Sequence, residues 1–259
     1  MLSKHLQTAL QAMRDDESIC EYEPRKVQIV NGVTLTIFER RTLPQSAASF
    51  ALRHRVLPAT DATGLRLWPC AESLLKHFIQ PTVLMQMASA AGRPLRLVEL
   101  GAGTGFLGIG IAAALGPACA ERVVLTDPAF PMGGGSTSLT LLEKTVAANV
   151  TVAPSAVACK LLWGDACDVA ALHCAHGPFD VAFGSELLYR EDSVGALVQT
   201  VRSIDTPRVV LAQQTRPSGS MALDETCIAL MQDAGYRLVE RLIVPRTTAV
   251  IYTYTRVRR

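Results

Sequence analysis

Residues 95–105, Leu-Arg-Leu-Val-Glu-Leu-Gly-Ala-Gly-Thr-Gly, constrain the fold more than any other stretch of the chain. An apolar run closes at Glu99, glycines follow at 101, 103 and 105, and a second apolar run extends from Phe106 to Leu115. This order reads as strand, tight turn and helix, the first unit of a nucleotide-binding α/β domain. Glycine lets the backbone turn sharply and lie close to a ligand. The spacing also separates two ligands. A dinucleotide fingerprint needs G-x-G-x-x-G, but position 106 is Phe, which leaves G-x-G-x-G. An acidic residue just before the glycines suits a ligand that carries an amine. Both features favour S-adenosylmethionine over NAD.

The pattern around this unit alternates. Strands are predicted at 95–100, 122–126, 157–162, 179–184 and 207–213. Helices are predicted at 105–115, 137–149, 192–203 and 220–234, and strands at 236–244 and 247–256. Helices between successive strands imply parallel pairing with right-handed crossovers. The last two strands are too close for a crossover and are expected to pair antiparallel. The expected fold is α/β: a Rossmann-like three-layer sandwich with a mostly parallel seven-stranded sheet and an antiparallel last strand. Upstream, residues 26–39 alternate around Asn31-Gly32, a strong hairpin signal. A short helix is predicted at 3–14, irregular chain at 41–62, and helices at 71–80 and 82–91 separated by Pro81. Residues 1–62 therefore read as a helix and hairpin extension, and 63–259 as the main domain. Gly133-Gly134-Gly135-Ser136-Thr137-Ser138 reads as a loop entering a helix with Ser or Thr as its N-cap.

Hydrophobic residues make up 49% of the 259, enough for a sizeable core. The net charge is +2, so no strong field draws the chain to nucleic acid or to a membrane surface. The basic end, Arg256-Val-Arg258-Arg259, reads as a solvated tail. The seven cysteines form no C-x-x-C pair and are odd in number, which suits free thiols in a reducing compartment. No apolar run has signal-peptide character or approaches the roughly 18 residues of a membrane span. A soluble cytoplasmic monomer is expected. Cys167, His173, Cys174 and His176 cluster, but their spacing matches no usual zinc pattern, so they read as a polar connection and no metal is expected.

Ligands of open α/β sheets lie outside the carboxyl ends of the strands. Glu99, Gly101 and Gly103 end the first strand. Asp127 ends the second, near the roughly 20-residue spacing at which related folds hold ribose hydroxyls. The alternative for Asp127 is a helix N-cap. Trp163-Gly164-Asp165 ends the third strand. The Trp suits an adenine face, and Asp165 reads equally as an adenine acceptor or a turn residue. Ser185-Glu186-Leu187-Leu188-Tyr189 ends the fourth, where a transferred group would lie; the alternative is an ordinary exposed loop. Asp127-Pro128-Ala129-Phe130 resembles the D-P-P-[FYW] motif of enzymes that methylate base amines, but that motif ends the fourth strand. The likeness is read as coincidence.

Taken together, these motifs resemble the seven-stranded class I methyltransferases, in particular the methyltransferase-16 branch of protein lysine methyltransferases with a D-x-x-Y motif. The resemblance covers residues 27–256. It rests on Thr63-Gly64-Leu65-Arg66-Leu67-Trp68, on 98–105, on Asp127, on Leu141-Leu142-Glu143 through Asn149, and on Trp163. It implies that S-adenosylmethionine is bound by Trp68, Glu99, Gly101, Ala102, Gly103, Asp127, Trp163 and Ser185, with S-adenosylhomocysteine as product. It implies Glu186 and Tyr189 as the catalytic pair and a lysine of a protein substrate as acceptor. The family motif begins with Asp, whereas this chain has Glu186. Other readings are a small-molecule amine, a nucleic-acid base or a protein histidine as acceptor, or a non-catalytic scaffold. Nucleic acid is disfavoured by the lack of basic and aromatic interleaving.

Overall fold

The computed structural model describes residues 22–29, 32–40, 66–133, 136–215 and 220–257. The predicted helix at 3–14, the irregular stretch at 41–62 and Asn31 lie outside them. The elements run β1 (Tyr22–Gln28), β2 (Thr34–Arg40), α1 (Pro69–Phe78), α2 (Pro81–Ala91), β3 (Leu95–Glu99), α3 (Phe106–Cys119), β4 (Ala120–Asp127), β5 (Pro131–Gly133) and β6 (Ser136–Thr137). They continue with α4 (Ser138–Ala148), β7 (Ala156–Lys160), α5 (Ala166–His176), β8 (Val181–Ser185), α6 (Glu191–Ile204), β9 (Arg208–Gln214), α7 (Ser220–Asp233), β10 (Tyr236–Ile243) and β11 (Ala249–Arg256).

The main sheet has the order β10-β11-β9-β8-β3-β4-β7. Pairs among β7, β4, β3, β8 and β9 are parallel. Only β11 runs against its neighbours. The chain builds outward from β3 to β4 and β7, then crosses back to β8 and β9. The order thus reverses between β3 and β8, and ligand crevices of open α/β sheets form at such a point.

Strands covered on both faces must be apolar at consecutive positions, and alternate residues feed two cores. Leu97, Val123, Leu125, Phe183, Val210 and Ile251 pack with α1 and α3. Val98, Val124, Ala182, Val209, Leu211 and Tyr252 pack with α5, α6 and α7. The hairpin joins the first of these cores through Leu35 and Ile37, both fully buried. Asn149, the C-cap of α4, fastens it: Thr36 N donates to Asn149 Oδ1 at 2.9 Å, and Asn149 Nδ2 donates to Thr36 O at 2.6 Å.

Three expectations change. The Cys–His stretch is the helix α5 and not a polar connection; Asp165 caps it by accepting from Cys167 N and Asp168 N, and Val169 and Leu172 bury its inner face. Among the described residues no group of three or more His, Cys, Asp or Glu is placed to hold a metal. The helix expected to end at 115 is assigned through Cys119 only across a break at Gly116, where φ is 63°. Arg256 is not part of a solvated tail: it stacks 5.0 Å from the Tyr236 ring and pairs with Asp205 at 3.0 Å. Among the described residues no helix is long and apolar enough to cross a membrane.

Candidate functional site

Three strand ends meet where the sheet order reverses. Gly101 begins the turn after β3 in the left-handed region, at φ 62°. A side chain there would stand 3.0 Å from Leu187 Cδ2 and 3.1 Å from Trp163 Cζ2. Trp163 beyond β7 and Leu187 in the turn beyond β8 therefore both close on the glycine turn at Gly101. Gly184 serves the same packing, since a Cβ would meet Leu187 Cδ1 at 2.6 Å. Leu187 and Leu188 are buried and anchor the turn. Glu186 sits at φ 57°, unusual for a residue with a Cβ, and its N–H still donates to Ala212 O at 2.9 Å. Strained backbone of this kind gathers at functional sites. Ser185 and Tyr189 flank it, both half-buried.

Asp127 caps no helix, because Thr137 caps α4 through a capping box with Thr140. Its carboxylate holds the glycine turn instead: Gly103 N donates to Oδ2 at 3.1 Å. The Ser138 hydroxyl also bonds to it, and Phe130 N donates to Ser138 Oγ at 3.0 Å. Burial raises the Asp127 pKa, and those two hydrogen bonds oppose the rise. Ser138 was not expected in the site. Its only sequence signal is a place in the loop that enters the helix.

Glu99 is turned into the fold. It is 2% exposed, and its Oε2 accepts from Gly108 N on α3 at 3.0 Å. Burial pushes its pKa well above the carboxylate range; the Gly108 bond opposes this, and the charge of Asp127 adds to it. Glu99 thus ties β3 to the helix after the turn. Ala102 is buried, and its N–H donates to Thr126 O at 2.8 Å, locking the turn to β4. Trp163 is half-buried, and its Nε1 is buried with no hydrogen-bond partner among the described residues. Asp165, read equally as an adenine acceptor or a turn residue, is engaged as the cap of α5. Trp68 is the half-buried N-cap residue of α1, and β2 steadies the preceding residue, since Leu67 N donates to Glu39 Oε1 at 2.7 Å.

Gln213 is the second unexpected residue. It is 2% exposed on β9, and its amide bonds to Glu186 and to both backbone groups of Leu188. A polar residue near the end of an apolar strand is its one sequence signal.

A Rossmann-like sheet with a glycine turn and a strand-end carboxylate beside its reversal point defines the class I methyltransferase architecture. The chain belongs to the lysine methyltransferase family, whose profile matches residues 58–231. Among curated proteins it is 33% identical over 122 residues to protein N-lysine methyltransferase METTL21A of Mus musculus, covering 46% of this chain and 49% of that protein. It is 28% identical to the Danio rerio METTL21A, covering 67% and 72%. It is 31% identical to EEF1A lysine methyltransferase 3 of Mus musculus, covering 58% and 56%. The matches thus span about half the length of the two mouse relatives. Among solved structures, SMU.776 complexed with SAH shares the fold at a TM-score of 0.54 and 12% identity, covering 90% of this chain and 56% of that one.

Proposed function

We propose that this protein transfers a methyl group from S-adenosylmethionine to the side-chain amine of a lysine in a protein substrate, releasing S-adenosylhomocysteine. The observation that carries the reading is the meeting of Gly101, Trp163 and Leu187 at the reversal point of the sheet. It brings the glycine turn, which we read as the cofactor turn, beside the Glu186–Tyr189 turn in a chain of the lysine methyltransferase family.

The residues present fit this cofactor. Gly101 leaves a cradle that a Cβ would fill. Trp163 brings an indole face and a buried N–H with no partner among the described residues. Asp127 is oriented by two donors and is an acceptor for ribose hydroxyls. The backbone from Gly101 to Gly103 and Ser185 would line the rest, with Trp68 beyond, while Glu99 supports the turn from inside. When bound, S-adenosylmethionine supplies an electrophilic methyl on a sulfonium sulfur.

The chain's own residues prepare the acceptor. Glu186 receives the incoming ammonium by a charge-assisted hydrogen bond. A lysine must be neutral to react, and its ordinary pKa is about 10.4. Removal from water lowers that pKa, and loss of the proton to solvent frees the lone pair. Tyr189 walls the channel and offers its ring to the cation. The turn between β8 and α6 holds both groups so that reacting atoms can be aligned to about 3–3.5 Å with water excluded.

The same proposal assigns the transfer to residues 63–259, with 1–62 as an extension whose hairpin is docked into the core. It also takes the enzyme to be a monomer and to act in the cytoplasm, a reducing location that the free thiols of the described residues favour. The test is incubation with labelled S-adenosylmethionine and a cell extract, followed by mass mapping of the labelled molecule. Label on protein lysine is expected, and label on nucleic acid or a small molecule instead would replace the reading. Glu186→Gln and Tyr189→Ala should slow transfer at least about tenfold while the cofactor still binds. Full activity in both would remove the acceptor site.

A further inference from the structure

The turn beyond β8 is held from the neighbouring strand. Glu186 adopts a left-handed conformation that disfavours any residue with a Cβ, so something must hold it there. Its N–H is fixed by Ala212 O, and the next residue on β9 is Gln213. Gln213 Oε1 accepts from Leu188 N at 3.2 Å. Gln213 Nε2 donates to Leu188 O at 3.3 Å and to Glu186 Oε2 at 3.2 Å. These partners also decide which way the amide faces. A backbone N–H can only donate, and carbonyl and carboxylate oxygens can only accept.

We propose that Gln213 is a positioning residue for the acceptor amine, acting through Glu186. This rests on the lysine-transfer reading above. The amide grips both backbone groups of Leu188 and uses its remaining N–H to aim the Glu186 carboxylate. Because glutamine is neutral, it orients the carboxylate without cancelling its charge, and that charge is what an ammonium needs. A lysine or arginine at 213 would instead form an internal ion pair and compete with the substrate. The contact also gives a use to the departure from the family's Asp. An aspartate at 186 would fall one methylene short of the Gln213 amide. Gln213 is therefore the element that lets this chain work with the longer acid.

The test is acceptor kinetics with the substrate identified by labelling, alongside cofactor affinity by calorimetry and a thermal melt. Gln213→Met keeps the side-chain length and removes all three hydrogen bonds. It should lose about ten- to a hundredfold in kcat/KM for the acceptor, with cofactor affinity unchanged. Glu186→Asp should lose a similar factor. The deciding measurement is the double-mutant cycle. In a Glu186→Ala background, Gln213→Met should add a markedly smaller loss than in the wild-type background, because the carboxylate it aims is already gone and only the Leu188 bonds remain to be lost. A merely structural role would instead weaken cofactor binding and lower activity equally in both backgrounds. Should Gln213→Met fail to fold, Gln213→Glu keeps an acceptor for Leu188 N–H but loses the donor to Glu186, and the same loss is expected. Wild-type acceptor kinetics in the folded Gln213 variant, or equal losses in the two backgrounds, would overturn the proposal. A wild-type protein that binds S-adenosylmethionine but labels no lysine overturns the transfer reading itself, a result distinct from an active enzyme indifferent to Gln213.

Discussion

Substitution of Asp127 separates the job that the structure gives this carboxylate from the one proposed for it. It holds the glycine turn through Gly103 N–H and is itself bonded by the Ser138 hydroxyl of α4, and it is proposed to accept the ribose hydroxyls of the cofactor. Asp127→Ala leaves the buried Gly103 N–H without its partner. An unsatisfied buried donor costs about 1–3 kcal/mol. At about 2 kcal/mol, a domain of this size should melt about 4–8 °C lower. Asp127→Asn keeps an acceptor oxygen and nearly the same volume, so its melt should move little. Both variants remove the negative charge. Losing charge-assisted bonds to ribose hydroxyls costs about 1.5–3 kcal/mol, or about ten- to a hundredfold in affinity. Calorimetric titration with S-adenosylmethionine, paired with a cofactor-free melt, reads the two effects apart. The pH dependence adds a third reading. Burial raises the Asp127 pKa, so wild-type affinity should weaken on acidification sooner than for an ordinary aspartate. The Asn variant should show no such dependence. Unchanged affinity in a folded Asp127→Asn protein would refute the ribose role. Equal melts for the Ala and Asn variants would refute the strut.

Trp68 and Trp163 are the only tryptophans, and Trp163 lies against Gly101. Cofactor should change the intrinsic fluorescence, and Trp163→Phe should remove most of that change; silence where calorimetry shows binding would place both indoles away from the ligand. Glu99 binds its proton more tightly in the folded protein than in the unfolded chain, so its contribution to stability falls as pH rises above the ordinary Glu value. Glu99→Gln should therefore melt above wild type at about pH 8 and lose that advantage towards about pH 4, and a reversed slope would contradict the assignment. Asn149→Ala should cost about 1–3 kcal/mol and speed hydrogen exchange in β2, because Thr36 loses both of its side-chain partners. Unaltered exchange there would mean that Leu35 and Ile37 dock the hairpin unaided.

Much of the fold is written locally. The run at 95–100, the glycines and the apolar stretch after them define strand, turn and helix within a few residues, and doubly buried strands announce themselves as continuous apolar runs. Pro81 marks the start of α2 as expected. The helix α5 escaped because its inner face needs only Val169 and Leu172, and its cap, Asp165, also read as a ligand group. The candidate site was legible only in part. Asp127, Trp163 and the Glu186–Tyr189 turn are recognisable because they stand at strand ends. That Glu99 faces inward, that Ser138 braces Asp127 and that Gln213 aims Glu186 follow from none of their neighbours in sequence. Those relations depend on which strand lies beside which: β3 next to β8, and β9 next to both β8 and β11. Periodicity and turn chemistry act over a few residues and can be read along the chain. Hydrogen bonds between strand ends exist only once parallel pairing has brought distant segments to one edge of the sheet.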